Sequence, residues 1–486
     1  MKRPLLVLTT VCFLALTGCS KDDPIAPSEP QAEEEPVQEP QEPEEPESPI
    51  YFTFTARNEE VPESVNKNRW VVVHDSEGVF LDYKKIEPGA TVVFESEETV
   101  SDKISVTLFD TYQHETFPQS SQLQTFMAID KGKVWAEADY RTVAETGSFT
   151  FDATNVPDWA SVILTSRESS GAFFTSDFYG YQYPDVEAGN LHLDNVAVGE
   201  EIEEDFIFSV LDKQGKSGYL QVPGVQDGDS VIVDASQLSD FDQVLSVDLP
   251  AYKTINFSVV GMAEESGKLK SQLLQLYFGS SASDFNLETV ELGYLNTFEN
   301  YGTSFSISNE NSSYGYYIVG SPLSTFTVPA SIAFEVINDS STDFSYTTDA
   351  AITYQSVSWQ AAEPFVEGNN GSEHTSWYVL SPAQGFEELL SLPEALIEES
   401  GIYLEDFKYN GTTLYTKSDA YAEVMDSRFS GTPNTKIIFT ETENFSFRPA
   451  IDVTGKQGKN KARAATQGRN PNSWRTLDGR FGLPRF

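Results

Sequence analysis

The sequence predicts a mainly β body, organised as two or three tandem antiparallel β-sandwich domains with one short helical segment. Three observations carry that prediction. Between about residues 50 and 450, short apolar runs rich in Val, Ile, Tyr and Phe alternate with polar residues, as in ISVTLFD (104–110) and SIAFEVIND (331–339). The runs are broken by Gly, Asp, Asn and Pro, residues suited to tight turns. A similar string occurs twice, as WVVVHDSEGVFLDYKKIEPGATVVFES (70–96) and SVLDKQGKSGYLQVPGVQDGDSVIVDAS (209–236).

The turns inside the repeated string follow from local chemistry. Asp75-Ser76-Glu77-Gly78 reads as a hairpin turn, with the carboxylate capping local amides and Gly78 supplying a positive φ. Glu87-Pro88-Gly89-Ala90 suits a type II turn, because proline presets φ at its second position and glycine takes the third. In the second string Asp212 and Gly215 match Asp75 and Gly78, and the strand after Gly228 matches the strand after Gly89. Two related sandwich modules would write such a repetition, and so would two hairpins of one larger fold. The pattern resembles the immunoglobulin-like and carboxypeptidase-regulatory-like sandwiches of exported bacterial proteins.

The departure from β lies at GFEELLSLPEALIEES (385–400), where Leu389, Leu390, Leu392, Leu396 and Ile397 cover one face of short helical turns broken at Pro393. Tyr403–Phe407 and Tyr415–Val424 read as strands again. The expected division is 50–168 as a first sandwich, 169–262 as a second, related one, and 263–450 as a larger β domain with its helix near 385–399.

The N-terminal residues read as an address. Lys2 and Arg3 precede an apolar run, Leu5 to Leu16, too short for the ~20 residues that a membrane-spanning helix needs. Residues 1–18 are expected to be a signal peptide. The run ends in Leu16-Thr17-Gly18-Cys19, which resembles the bacterial lipobox; the resemblance implies acylation of Cys19 and attachment to membrane lipid. Ser20-Lys21-Asp22-Asp23 resembles the export signal of Bacteroidota lipoproteins, which implies the exterior face of the outer membrane. Cys12 leaves with the signal peptide, so the mature chain has no free thiol and no disulfide. Within the segment that follows the acylated cysteine, 19–49, residues 27–49 are almost entirely Pro, Glu, Gln and Ser. They are expected to be a disordered tether reaching about 80 Å as polyproline II.

Charge excludes one class of partner. The chain carries −44; the signal segment contributes +2, residues 20–50 contribute −10 and residues 451–486 contribute +6, leaving −42 on 51–450. Nucleic acid is therefore excluded as a partner of the body. The tail, 451–486, has eight basic residues against Asp452 and Asp478. It is expected to be largely disordered, folding back on the acidic body or holding an acidic envelope component.

Chemistry is sparse. Ser64-Val65-Asn66-Lys67 fits S-x-x-K but precedes a strand and has no K-T-G partner. His74, His114, His192 and His374 are not spaced for metal pairs. No catalytic residue or resident cofactor is assigned. Calcium is a weak candidate ligand at Asp227 and Asp229, with Asp234 pointing to the other strand face. The turns YGYQYP and SSYGYYIVG place Tyr179, Tyr181, Tyr183, Tyr314 and Tyr316 where rings stack on a glycan. The expected function is a non-enzymatic surface lipoprotein that binds a glycan or an envelope protein. A lipid-anchored hydrolase of polysaccharide or peptide and a purely structural assembly component are the alternatives.

Overall fold

The computed structural model describes residues 49–449 except 60–63, 99, 115–116, 138–146, 168–171, 176–184, 188, 200–202, 266–267, 281–286, 363–373, 384–385, 387 and 433–440. All of these belong to the unit Ser48–Phe486.

The first sandwich contains β1 (Ile50–Thr55), β2 (Val65–Asp75), β3 (Phe80–Lys85), β4 (Thr91–Glu95), β5 (Lys103–His114), β6 (Phe117–Asp130) and β7 (Lys133–Ala136). One sheet runs β3-β2-β5-β6 and the other β4-β1-β7. Alternation sends Phe52 and Phe54 of β1, Phe94 of β4 and Trp135 of β7 inward against Val71, Val73, Ile104, Val106 and Phe126. Trp135 packs edge-on to Phe54 and to Phe126, each at 5.2 Å between ring centroids. Each such pair adds about 0.5–1.5 kcal/mol beyond its buried area.

The second sandwich contains β8 (Gly147–Thr154), β9 (Trp159–Thr165), β10 (Ala172–Thr175), β11 (Asp185–Glu187), β12 (Asn190–Val198), β13 (Glu204–Asp212), β14 (Ser217–Val225) and β15 (Ser230–Asp234). The third contains β16 (Gln243–Asp248), β17 (Thr254–Glu265), β18 (Lys268–Ser280), β19 (Thr289–Tyr294), β20 (Asn300–Ser308) and β21 (Ser312–Gly320). One four-strand run in each, β10-β9-β13-β14 and β18-β17-β20-β21, has the same order as β3-β2-β5-β6. In the other sheet of each sandwich the first strand pairs antiparallel with a later one: β1 with β4, β8 with β12, β16 with β19. The body is thus mainly β, with antiparallel sandwiches in tandem.

The remaining elements are β22 (Phe334–Ser340), β23 (Asp343–Thr348), β24 (Tyr354–Ala362), β25 (His374–Pro382), α1 (Glu394–Ser400), β26 (Lys408–Lys417), α2 (Tyr421–Arg428) and β27 (Glu441–Phe447). The order β25-β24-β26-β27 repeats the four-strand pattern once more, and these strands join the first and third sandwiches into one sheet of twelve. β21 pairs antiparallel with β27 and β25 pairs parallel with β6 at the two junctions. Trp377 of β25 donates its indole N–H to Thr125 of β6 at 2.8 Å across the second junction.

The repeated string falls at a different phase from the repeated sandwich. It aligns hairpin β2–β3 with hairpin β13–β14, but β13 and β14 occupy the places of β5 and β6. The shared feature is the turn. Asp75 Oδ1 accepts from the Glu77 and Val79 amides at 2.9 and 2.8 Å, and Asp212 Oδ1 accepts from Gln214 and Lys216 at the same distances. Gly78 and Gly215 both have positive φ, +80° and +82°. Position 168 lies between β9 and β10, neighbours in one sheet, and position 262 lies inside β17. Residues 421–428 are helical, not extended, because Tyr421, Val424 and Met425 bury one face at helical spacing and Glu423 accepts from the Ala420 amide at 3.0 Å. Tyr403–Phe407 is centred on a 3-10 turn at Leu404–Asp406, and helix α1 begins only after Pro393.

The sheet of twelve has two edges, β18 and β3. At β18 the second sandwich covers it: the hydroxyls of Ser161, Thr165 and Ser209 donate to the carbonyls of Leu276, Leu273 and Leu274 at 2.5, 2.6 and 2.6 Å. At β3 the strand carries Lys84 and Lys85, charges that oppose pairing with another strand. No helix among the described residues is long and apolar enough to cross a membrane.

Candidate functional site

One face of the sheet of twelve is covered by an unusual layer. Trp70, Val72, Phe109, Leu123, Val357, Trp359, Trp377 and Val379 are buried beneath the β22–β23 hairpin and residues 386–407. Phe344 of β23 anchors the hairpin, stacking on Tyr409 at 5.3 Å and meeting Trp359 edge-on at 5.6 Å. His74 of β2 holds the neighbouring segment, its Nε2 donating to the Ser391 carbonyl at 2.7 Å. Burial lowers the proton affinity of this imidazole, and its Nδ1 has no partner among the described residues.

Beside the hairpin lies an open groove of about 570 Å³. Phe344, Ser345, Tyr346, Thr347 and Thr348, five consecutive residues, border it on one side. Side chains alternate across a strand, so consecutive lining residues mean that the edge of β23 faces the groove. β22 and β23 form a sheet of only two strands, and among the described residues no strand pairs with that edge. Ile352, Gln355 and Phe386 form much of the remaining wall. Tyr346 donates to Gln355 Oε1 at 2.5 Å, and Gln355 Nε2 donates to Ser381 at 3.2 Å, so the polar floor is fixed. Burial pushes the Tyr346 hydroxyl up to about 12, which keeps it a neutral donor. Residues 331–353 contain Glu335, Asp339, Asp343 and Asp349, and residues 383–407 contain seven more acidic side chains; neither stretch has a Lys or Arg.

The residues singled out in the sequence lie elsewhere. Tyr314 and Tyr316 are 6% and 8% exposed, and their hydroxyls donate to Glu443 and Glu441 at 3.1 and 3.3 Å. Their rings pack on Phe445 and Phe326 in the core of the third sandwich, so neither face is open to a sugar. Burial raises both phenols further above the usual range, with the nearby carboxylates adding to it. Tyr179, Tyr181, Tyr183 and Cys19 lie outside the described residues, as do the tether and the tail.

The calcium candidates build turns. Asp227 Oδ1 accepts from the Ser148 amide and Asp229 Oδ2 from the Gln226 amide, both at 2.8 Å. Asp234 accepts from Ser236 and Asn155 at 2.9 Å each. No set of three potential ligands converges among the described residues. Lys67 of the S-x-x-K string pairs with Glu59. His192 is exposed between Asp152 and Asp194, at 2.7 and 3.2 Å, and the hydrogen bond to Asp152 raises its proton affinity above that of a free imidazole.

Sequence reasoning missed the groove because it registered SIAFEVIND (331–339) only as a strand and did not single out β23. The available signal was an isolated hairpin, SIAFEVINDSSTDFSYTT, with no basic residue on it. The chain matches no protein-family model and no curated protein sequence.

Proposed function

We propose that this chain is a non-enzymatic lipoprotein, held through acylated Cys19 on the exterior face of the outer membrane, that binds an extended basic segment of an envelope protein along β23. The single observation that carries this reading is the groove bordered by five consecutive residues of an unpaired strand edge. An edge of this kind offers main-chain donors and acceptors to an added strand, while pockets beside it select alternate side chains. The exposed carboxylates of the hairpin, Glu335, Asp339, Asp343 and Asp349, favour Lys- and Arg-rich partners. The ring of Phe344 is buried against its neighbours, which leaves little flat aromatic surface for a sugar.

The absence of a free thiol from the acylated chain makes a site-directed test direct. Ser345→Cys, labelled with a photo-activated cross-linker, is expected to capture a Lys/Arg-rich segment of one envelope protein. Labelling of polysaccharide alone would replace this reading with a glycan-binding one, and no cross-link to any polymer would remove the groove as the binding site.

A further inference from the structure

Arg428 ends helix α2 with its hydrogen-bonding capacity unused. Its Nε is sealed from water without a partner, and its guanidinium forms no hydrogen bond or ion pair among the described residues. Arg69, also largely withdrawn from water, instead commits three nitrogens to Asp110 and Glu137. The acids on α2 are engaged elsewhere: Asp426 pairs with Lys133 at 3.0 Å, and Glu423 accepts from the Ala420 amide at 3.0 Å.

Aromatic groups surround this cation. Its guanidinium carbon lies 4.8 Å from the centre of the Phe126 ring, and the phenols of Tyr354, Tyr415 and Tyr421 are the groups that act on its charge. Tyr354 and Tyr415 stack at 4.1 Å between centroids. The Tyr421 hydroxyl is used, donating to the Met127 carbonyl at 2.5 Å. The Tyr415 hydroxyl has no partner among the described residues, although its backbone carbonyl accepts from Thr353 at 2.9 Å. Arg428 and Tyr415 are both half-buried, so part of each still meets the surface.

Withdrawing a charge from water without a counter-charge costs more than one cation–π contact returns. A guanidinium is a planar fork whose spacing matches the two oxygens of a carboxylate. With Nε sealed, the two terminal nitrogens present that fork end-on. The body carries −42, so a ligand with a single negative charge is repelled least on approach. Tyr354 packs in the core on this side of β24, and the next residue, Gln355, lines the groove. Alternation along the strand puts the two places on opposite faces of the sheet of twelve.

We propose that Arg428 and Tyr415 form a binding site for a small monocarboxylate. Its two oxygens take the terminal guanidinium nitrogens, and one of them also accepts from the Tyr415 hydroxyl. The site is separate from the groove and does not rest on the strand-accepting reading.

The test follows the Nε–H resonance of Arg428 in nitrogen-labelled full chain, identified by its loss in Arg428→Lys, as sodium acetate is added at fixed pH and ionic strength. The account predicts a saturable shift that chloride does not reproduce. Acetate should also raise the Tm of the full chain and not that of Arg428→Lys, which keeps the charge and loses the fork. Tyr415→Phe keeps the ring that stacks on Tyr354 and should bind acetate about tenfold more weakly, the cost of one hydrogen bond to a charged group. No shift with acetate, or the same shift with chloride, would overturn the site and leave Arg428 as a packing residue over Phe126. Equal affinity for inorganic phosphate would overturn the assignment to a carboxylate, and unaltered acetate binding by Tyr415→Phe would overturn the part given to Tyr415.

Discussion

Phe334 and Phe447 stack nearly face to face, 4.4 Å between centroids and 10° between planes, and so fasten the start of the β22–β23 hairpin to the last residue of β27, an inner strand of the sheet of twelve. The hairpin is otherwise a two-stranded ribbon, an arrangement only marginally stable without packing.

Phe447→Ala should therefore loosen the hairpin more than the sheet. A partly buried ring of this kind contributes roughly 1–3 kcal/mol, less than the 3–5 typical of a fully buried Phe. Hydrogen exchange should accelerate at 334–348 while β17 and β20 keep their protection. Uniform acceleration across the sheet would show that the stack is part of the global core.

Gly215 is a second fastening. Its φ is +82°, and a Cβ there would lie 2.1 Å from the Thr289 carbonyl oxygen of the third sandwich. Gly132 has the same φ, and a Cβ there would meet nothing within 4 Å. Ala at 132 should cost about 1 kcal/mol from backbone strain alone, and Ala at 215 at least about 2 kcal/mol more from the clash. Thermal unfolding of the two variants measures the difference; equal Tm values would contradict the close docking of this turn.

The end of the first sandwich is closed by ions. Arg69 binds Asp110 through two nitrogens, at 2.6 and 3.0 Å, and Glu137 through a third at 2.5 Å. Its partners hold the guanidinium firmly protonated even though burial alone would oppose the charge. Arg69→Ala leaves two partly buried carboxylates without their cation and should cost about 3–5 kcal/mol. Denaturant unfolding checks this, and a loss below about 1 kcal/mol would show that water replaces the ion pair.

His74 predicts a pH dependence with a definite sign. Its folded-state proton affinity is lowered, mainly by burial, with the Ser391 carbonyl and Asp75 acting the other way. The unfolded chain therefore binds the proton more readily. The stability that His74 contributes is fully present above the unfolded value of ~6.5 and is lost as pH falls below it toward the folded value. The difference in denaturant midpoint between the full chain and His74→Gln should shrink between pH 7.5 and pH 5. A constant difference would mean that the imidazole stays neutral throughout.

How much of this is legible in the sequence depends on the range of the interaction. Period-two alternation in ISVTLFD and the Asp75–Gly78 and Asp212–Gly215 turns are local, and the strands and hairpins follow them. The phase of the sandwich repeat is set by which strands pair across roughly 30 to 100 residues, and no local string encodes it. Tyr415–Val424 reads as a strand, whereas Tyr421, Val424 and Met425 are buried at helical spacing. Tyr314 and Tyr316 read as turn tyrosines, but β21 is an inner strand of the sheet and its inward rings fill a core. The groove arises where a hairpin of one region meets the end of another, so only the acidic, cation-free composition of 331–353 marks it in the sequence.

The central claim is that the edge of β23 accepts an extended basic strand. The most direct measurement is amide exchange at 343–348 with and without a saturating lysine-arginine peptide, in low and high salt. The account predicts slower exchange confined to β23 and its neighbours, and reduced protection at high salt, where exposed charges are screened beyond ~3 Å at 1 M. Peptide binding that leaves residues 343–348 unprotected, or protects a different strand, would contradict it.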